Sequence, residues 1–135
     1  MSHIVFSIPA IKGIEFGIGF AAAKMLGSQH NDPFIDGKGS TSTNNAGGIN
    51  GGITNGNELI FRVVVKPTSS TGVAQETYDF SKGEMTSLKI AGRHDTCIAL
   101  RIPVIVEAAT AIALADLFMI DRGINGKESE VGSKK

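Results

Sequence analysis

The sequence predicts an α+β fold with a mainly antiparallel sheet and a long C-terminal helix. Runs of strand length lie at 58–66, 75–80 and 85–91, and the first of them is rich in β-branched residues. The short turn at Ser81–Gly83 between the last two runs favours an antiparallel meander. Apolar residues then recur at helical spacing from Ile102 to Ile120. These three observations together indicate the fold class.

The composition is that of one globular domain. The chain has 135 residues, of which 41% are hydrophobic and 19% are charged. Thirteen basic residues balance thirteen acidic ones. This balance gives no electrostatic reason to expect a nucleic acid or an anionic membrane as a partner. A small anionic ligand is compatible with it, because local basic groups can act within a neutral whole.

The cysteine content and the terminal sequence favour a cytoplasmic protein. Cys97 is the single cysteine, which excludes an internal disulfide framework and fits a reducing compartment. The N-terminus shows no secretory signal pattern. The longest apolar run, 102–120, is interrupted by Glu107 and Asp116, so we interpret it as a core helix and not as a membrane span.

The N-terminal half begins with a predicted strand and a predicted short helix. His3–Ile8 has the alternation of a strand, and Pro9 limits its continuation within a ladder. Phe20–Gly27 is rich in alanine and predicts a helix that Gly27 would cap. Ser28–Gly56 has no sustained period, and so long a stretch inside a compact domain is usually functional or disordered.

The last predicted helix accommodates Pro103 in its first turn. Its apolar positions spread over more than one stripe, as in a helix that is covered on both sides. Beyond Arg122 the sequence offers nothing to bury. We therefore predict one domain at residues 1–122 and a flexible tail at 123–135.

A candidate dinucleotide turn lies at Gly17–Ala22, which fits G-x-G-x-x-A at the start of a helix. Such a turn brings backbone amides to the pyrophosphate of a nicotinamide cofactor. A second parallel strand ending in an acidic residue should follow, but the sequence gives a polar, glycine-rich stretch instead. A nicotinamide oxidoreductase is therefore the weakest functional hypothesis.

The glycine segment, which we define as Thr43–Gly56 with the sequence "TNNAGGINGGITNG", contains five glycines, four asparagines and no charged residue. It lacks the spacing of a nucleotide triphosphate loop. One interpretation is a flexible surface loop. The other is close approach of the backbone to a flat ligand, because glycine removes the Cβ clash and asparagine tolerates left-handed conformations. Ile49 and Ile53 recur four apart, which indicates that parts of the segment pack.

A candidate anion site lies at Val63–Ser70, "VVVKPTSS". A lysine, a proline and three hydroxyl residues at the end of a strand supply one charge and several short donors. The alternative interpretation is an ordinary junction between a strand and a turn.

A second candidate lies at Gly92–Cys97, "GRHDTC". The guanidinium of Arg93 is a planar fork for phosphate or carboxylate, and the carboxylate of Asp95 can orient a neighbour or act as a base. The alternative interpretation is a salt-bridged turn. His94 has no second histidine at ligand spacing, which argues against a metal site, and Cys97 is expected to be a buried small residue.

These segments, in this order, resemble the C-terminal part of chorismate synthase, and the resemblance covers about Phe6 to Asp121. It rests on "SIPAIKGIEFGIGF", "TNNAGGINGGITNG", "VVVKPTSS", "GRHDTC" and "EAATAIALAD". It implies a lyase of the shikimate pathway that converts 5-enolpyruvylshikimate 3-phosphate to chorismate by a 1,4 anti elimination of phosphate. It also implies reduced FMN with no net redox change, a link to NADPH, a layered β-α-β sandwich and a homotetramer.

The resemblance further implies the site residues. Pro9 and Ala10 match a flavin-contacting pair, and Gly51 matches the flavin-contacting glycine of the glycine-rich motif. The segment that holds FMN matches Lys66, Pro67, Thr68, Ser69 and Ser70. Arg93 matches an arginine at the flavin and substrate site. Asp95 matches the acid proposed to act near flavin N5 in moving the proton that leaves the substrate.

The chain departs from the family pattern at several positions. Many members have asparagine at the position of Pro9, threonine at that of Ser70 and proline at that of Thr96. The family's two active-site histidines and most of its basic substrate-binding residues lie in an N-terminal portion, and His3 and His30 are not at matching positions. We therefore expect the chain to correspond to about the last third of the enzyme and to have negligible lyase activity alone.

A function of another class stays open beside this one. The chain could be a non-catalytic α+β module whose glycine-rich loop binds an anion or a partner protein. Such a module would fold and ignore flavin, so titration of FMN followed by its fluorescence separates the two hypotheses.

Overall fold

The computed structural model describes residues 1–131, with side chains described up to residue 124. It has small antiparallel sheets and a long C-terminal helix, as predicted, and it divides into two compact units, Met1–Val64 and Val65–Lys135. The layered arrangement of a sandwich stays a prediction. The helices are α1 (Ser2–Phe6), α2 (Gly27–His30), α3 (Ile102–Val131) and two 3-10 helices, Gly19–Lys24 and Ile98–Arg101. The strands are β1 (Ile11–Phe16), β2 (Ile49–Asn50), β3 (Ile53–Thr54), β4 (Phe61–Val65), β5 (Gln75–Asp79) and β6 (Glu84–Leu88).

The first element is a helix and not the predicted strand. α1 overlaps most of the run His3–Ile8, and Val5 in α1 is fully buried. Ser7 ends the helix, because its N–H donates to the C=O of His3 and its hydroxyl donates to the C=O of Ile4. The prediction was wrong because so short an apolar run fits one buried turn of helix as well as a strand, and its periodicity cannot separate the two.

β1 and β4 pair as a two-stranded sheet. Gly17, directly after β1, donates its N–H to the C=O of Ile60, directly before β4, at 2.9 Å, while Gly13 in β1 lies against Val64 in β4. These contacts show that the two strands run in opposite directions.

The predicted single meander is wrong, because the strands form three separate pairs: β1 with β4, β2 with β3, and β5 with β6. The strand predicted at 58–66 is confirmed as β4, but its partner comes from the start of the chain. The physical reason is the connection at 66–74, which exceeds the about two to five residues of a tight hairpin.

The glycine segment crosses the end of β1 at backbone contact. Ile18 donates its N–H to the C=O of Asn45 at 2.9 Å. A Cβ at Gly17 would overlap that carbonyl, and a Cβ at Gly47 would overlap the nitrogen of Gly17 and lie 2.5 Å from the oxygen of Ile60. Gly17 and Gly47 have φ angles of +55° and +65°, which favour glycine independently. Packing of the chain on itself therefore requires both glycines.

The hairpin β2–β3 follows this crossing within the glycine segment. Asn50 pairs with Ile53, and Gly51 and Gly52 form the two-residue turn between them. Their φ angles are +59° and +83°, as a type I′ turn requires. A Cβ on either glycine would meet nothing within 4 Å. The backbone conformation explains these two glycines, and contact within the chain does not.

The hairpin β5–β6 confirms the two predicted strands and the turn at Ser81–Gly83. Asp79 pairs with Glu84 next to the turn. The carboxylate of Asp79 accepts hydrogen bonds from the N–H and the hydroxyl of Ser81 at 2.9 and 2.6 Å. Gly83 has a φ of +72° and donates its N–H to the C=O of Asp79. The acid that precedes the turn therefore fixes its geometry.

α3 begins where the sequence predicted, with Pro103 in its first turn. Ile102 and Ala109 are buried, but most of its large apolar side chains are exposed. These are Val104, Ile105, Ile112, Leu114, Leu117, Phe118, Met119, Ile120 and Ile124. The prediction of a helix covered on both sides is therefore wrong for this chain, because a short hairpin and one 3-10 turn in the same unit offer too little apolar surface to cover it.

The length of α3 bears on two further predictions. Ile98–Ile124 has the length and composition of a membrane-spanning helix, with a mean hydropathy of 1.9, but core helices of soluble proteins meet the same criteria. α3 continues to Val131, beyond the predicted boundary at residue 122. The flexible tail at 123–135 stays a prediction, and residues 132–135 lie outside the described residues.

Replacing Gly47 by alanine should lower the free energy of unfolding by about 3 kcal/mol or more, because the new Cβ meets backbone on two sides and the positive φ adds strain. Gly51→Ala is the matched control, since its φ is similar and the space around it is open. It should cost only about 1–2 kcal/mol. Urea denaturation of the 135-residue chain, followed by circular dichroism, measures both, and equal losses would contradict the crossing.

Candidate functional site

The second unit contains an open hollow that joins two of the segments singled out in the sequence. Its volume is about 430 Å³. One wall comes from the segment after β4, and the other comes from "GRHDTC". The lining residues are Pro67, Thr68, Ser70, Thr71, Gly72, Gly92, His94, Asp95 and Thr96. Four residues with hydroxyl groups and one with a carboxylate therefore line a common space.

The hollow includes some of the predicted site residues and leaves others beside it. Pro67, Thr68, Ser70 and Asp95 line it, whereas three predicted residues are sequence neighbours of the lining without belonging to it. These three are Lys66, Ser69 and Arg93. The site roles of all seven stay predictions.

Thr68 has a polar atom without a partner in this hollow. Its Oγ1 is buried and makes no hydrogen bond to any described residue. Buried hydroxyl groups are nearly always hydrogen-bonded, because leaving one unpaired costs about 1–3 kcal/mol. The described residues therefore leave the hydrogen-bonding capacity of this hydroxyl unmet.

The carboxylate of Asp95 is paired with a residue that sequence reasoning missed. Nη2 of Arg101 lies 3.1 Å from Oδ1 of Asp95 and donates a hydrogen bond to it. The side chains are 74% and 45% exposed for Arg101 and Asp95, so the ion pair contributes little to stability. Arg101 ends the 3-10 helix before α3, and its spacing from Asp95 matches no local pairing rule. The salt-bridged turn that the sequence left open is present, with Arg101 as its cation.

His94 lines the hollow, and Cys97 differs from its sequence interpretation. Nε2 of His94 lies 3.2 Å from where a Cβ of Gly92 would stand. Cys97 is exposed and not buried, because it lies in the turn that precedes the 3-10 helix. Among the side chains that the structure describes, up to residue 124, no three His, Cys, Asp or Glu residues are grouped to hold a metal ion.

The remaining predicted residues belong to the first unit. Pro9 and Ala10 lie in the turn before β1, and Ala10 has a φ of +74°. This left-handed conformation is strained for alanine by about 1–3 kcal/mol, and strain of this kind concentrates at functional sites. Gly51 lies in the tight turn of the hairpin β2–β3. The flavin-binding roles of these three residues stay predictions.

The asparagines of the glycine segment act through their side chains. Nδ2 of Asn44 donates to the C=O of Glu58 at 2.8 Å, and its Oδ1 accepts the N–H of Gly48 at 2.8 Å. Nδ2 of Asn45 donates to the C=O of His30 at 3.2 Å. The expectation that asparagine supplies left-handed backbone here is wrong, because among the described residues other than glycine only Ala10 has a positive φ.

Asp32, which the sequence did not single out, binds the start of the glycine segment. Its Oδ1 accepts the hydroxyl of Thr43 at 2.7 Å and the N–H of Asn45 at 2.8 Å. Its Oδ2 accepts the N–H of Ala46 at 2.9 Å. Burial is the largest single influence and raises the pKa of Asp32, but the hydrogen bonds together outweigh it, so the pKa lies below its ordinary value.

A family model described as chorismate synthase matches residues 1–119. Chorismate synthase of Chitinophaga pinensis is 58% identical over 93% of this chain and 38% of that protein. Chorismate synthase of Archaeoglobus fulgidus is 45% identical over 89% of this chain and 34% of that protein. A crystal structure of chorismate synthase has a TM-score of 0.47 and 43% identity, covering 51% of this chain and 21% of that chain.

The chain thus spans about a third of the length of the curated relatives that it matches. The similarity extends over nearly all of its own residues, and it includes the glycine segment and both walls of the hollow. The chain belongs to the chorismate synthase family.

Proposed function

We propose that the chain is part of a chorismate synthase. The whole enzyme eliminates phosphate from 5-enolpyruvylshikimate 3-phosphate to give chorismate in the shikimate pathway. The observation that carries the proposal is the hollow that Thr68 and Asp95 both line, where the Thr68 hydroxyl is buried without a partner among the described residues. Because the chain spans about a third of its relatives, the activity belongs to a longer polypeptide or assembly, and the chain alone has negligible activity.

The donor set of the hollow fits reduced FMN. The buried hydroxyl of Thr68 requires a partner, and Ser70 adds a second hydroxyl in the same lining. Lys66, adjacent in sequence, adds a positive charge for a phosphate group. When bound, reduced FMN supplies an electron-rich ring that promotes the loss of phosphate with no net redox change.

Two charged residues of "GRHDTC" have distinct roles in this proposal. The Asp95 carboxylate handles the proton that leaves the substrate, and Arg101 holds that carboxylate in position through the pair at 3.1 Å. The Arg93 guanidinium orients an anionic group of the flavin or the substrate. Because the elimination removes both a proton and a phosphate, a base and a cation are the two groups that it needs.

The first unit contributes backbone in place of charge. Gly51 has open space where a Cβ would stand, so a flat ring can approach its main chain closely. Pro9 and Ala10 contribute a turn whose conformation is already fixed by proline and by the left-handed φ of Ala10. Pre-formed backbone of this kind lowers the entropy cost of binding.

The wider features of the proposal follow the family. We infer a layered β-α-β sandwich, a homotetramer, a link to NADPH and a cytoplasmic location, with neither nucleic acid nor a membrane as a partner. The balance of thirteen basic and thirteen acidic residues supports the last of these inferences. The exposed apolar side chains of α3 support burial against further protein.

A chimeric enzyme tests the proposal. Its design replaces the aligned region of the Chitinophaga pinensis chorismate synthase by this chain, which is 58% identical to it. With reduced FMN and substrate, the chimera should form chorismate, whereas the 135-residue chain alone should form none that is detectable, because catalytic groups act as a unit. An inactive chimera that is folded and binds substrate, or an active isolated chain, would contradict the proposal.

The same chimera tests the base. Asp95→Asn should lower kcat by about 10²–10⁴, because the amide cannot take up a proton. Asp79→Asn is the control, since this carboxylate lies in the turn between β5 and β6 and does not line the hollow. Its kcat should stay within about twofold, and a comparable loss in both variants would remove the special role of Asp95.

Thr68→Val separates stability from binding. In the chain without ligand it should raise the free energy of unfolding by about 1 kcal/mol, because it removes a buried hydroxyl that has no partner. In the chimera it should weaken FMN binding by about tenfold, because that hydroxyl binds the cofactor. Thr77→Val, at an exposed threonine of β5 that does not line the hollow, is the control and should change neither quantity appreciably.

Denaturation in urea and titration of FMN by fluorescence measure the two effects of Thr68→Val. If the chain is a non-catalytic module that does not bind flavin, Thr68→Val should raise the free energy of unfolding and leave FMN binding unchanged. A loss of stability would show that the hydroxyl has a partner within the chain.

A further inference from the structure

We propose that Asp32 is a positioning residue that fixes the glycine segment in the conformation in which Gly51 presents its backbone to the flavin. The inference rests on the proposed function, because it takes the glycine segment to be part of the flavin site. Asp32 itself lies outside that segment and outside every motif that carries the family resemblance.

Asp32 accepts hydrogen bonds from residues that are far from it in sequence. Thr43, Asn45 and Ala46 are eleven, thirteen and fourteen residues away in sequence. One carboxylate therefore holds the entry to the glycine segment at three points. Hydrogen bonds to a charged acceptor are about twice as strong as neutral ones.

Asp36 is also a hydrogen-bonded aspartate, but its donors are close to it in sequence. Its Oδ1 accepts the N–H groups of Lys38 and Ser40, only two and four residues away. The hydrogen bonds from Ser40 and Lys38 also hold the pKa of Asp36 below its ordinary value. Asp36 therefore stabilises its own turn, whereas Asp32 connects two distant stretches of the chain.

The residues that Asp32 holds are connected through the backbone crossing to the turn that contains Gly51. The C=O of Asn45 accepts the N–H of Ile18, and the next residues, Ala46 and Gly47, run directly into the backbone crossing with Gly17. Gly47 leaves no room for adjustment there, because backbone lies on two sides of it. A shift at Asn45 and Ala46 must therefore displace the backbone that follows.

Hydrogen bonds also connect both ends of the hairpin β2–β3 to the start of the glycine segment. The C=O of Gly48 accepts the N–H of Asn55, and Asn44 accepts the N–H of Gly48 through its side chain. Gly51 lies between these two ends, in the turn of β2–β3. No charged residue occurs in the glycine segment itself, so the carboxylate that holds it comes from outside.

An alternative role for Asp32 would be direct ligand binding. It borders an open cavity of about 380 Å³ together with His30 and Asn50. Both carboxylate oxygens are already engaged by the glycine segment, and a ligand would have to displace those donors. Holding the segment is therefore the role that the geometry favours.

The test compares Asp32→Asn with Asp36→Asn as the matched control. In the 135-residue chain, hydrogen exchange followed by NMR reports the amides of Asn45 and Ala46, which donate to Asp32, and that of Asn55, which donates to the C=O of Gly48 at the base of the hairpin. Asp32→Asn should accelerate exchange at all three by at least about tenfold, because the amide offers one weaker acceptor where the carboxylate offered two. Asp36→Asn should leave them unchanged, and the amides of β5–β6 should not respond to either variant.

The second readout is the affinity of the chimera for FMN, measured well below its unfolding midpoint. Asp32→Asn should raise the Kd for FMN by about tenfold and shift the absorbance of the bound flavin, whereas Asp36→Asn should do neither. A purely structural role would lower the unfolding midpoint and leave the Kd unchanged, and that result would overturn the inference. Unchanged amide exchange in Asp32→Asn would overturn it as well.

Thr43→Val and the unsubstituted chimera separate a failure of this inference from a failure of the proposed function. Thr43→Val removes one donor to Asp32 and keeps the carboxylate, so it should produce a smaller change in the same direction if Asp32→Asn does not fold. If the unsubstituted chimera fails to bind FMN, the proposed function and the flavin part of this inference fail together. Amide exchange in the chain still decides whether Asp32 fixes the glycine segment.

Discussion

The backbone crossing of Gly17 and Gly47 is the contact on which the first unit depends. A residue with a side chain at either position would overlap backbone atoms, and backbone cannot move aside as a flexible side chain can. The crossing joins the end of β1, the glycine segment and the residue before β4 within one set of hydrogen bonds. Four of the five glycines of the segment, Gly47, Gly48, Gly51 and Gly52, are therefore of two kinds. Those near the crossing serve the packing of the chain, and those of the β2–β3 turn leave space beside the backbone.

Sequence reasoning succeeded where a local signal decides the structure. β4, the hairpin β5–β6 and the start of α3 are set by β-branched runs, a turn with Gly83 and a proline in a first turn, and all were predicted. It failed where distant partners decide. α1 is too short for its periodicity to be read, and the pairing of β4 with β1 depends on residues far away in sequence.

The residues of the candidate site also divide into those that the sequence predicted and those that it did not. The two walls of the hollow could be named from their residue types and from the family resemblance, because lysine, hydroxyl and arginine side chains are recognisable in a list. Arg101 and Asp32 could not, since each acts through a contact that only folding creates. Asparagine was interpreted through its backbone preference, whereas Asn44 and Asn45 use their side chains to bind other backbone groups. Asparagine can act through its backbone conformation or through its side-chain hydrogen bonds, and the sequence alone does not distinguish the two roles.

The exposed face of α3 connects the fold to the proposed enzyme. The nine large apolar side chains of α3 are 37–68% exposed, so each forgoes part of the about 1.5–3 kcal/mol that complete burial would contribute. Glu107 and Asp116 interrupt the same helix, and unpaired carboxylates in a hydrocarbon core are costly too. Polar protein surface can accept a carboxylate where lipid cannot, so further protein is the better cover. The chain spans about a third of its relatives, which leaves ample protein in the family for that role.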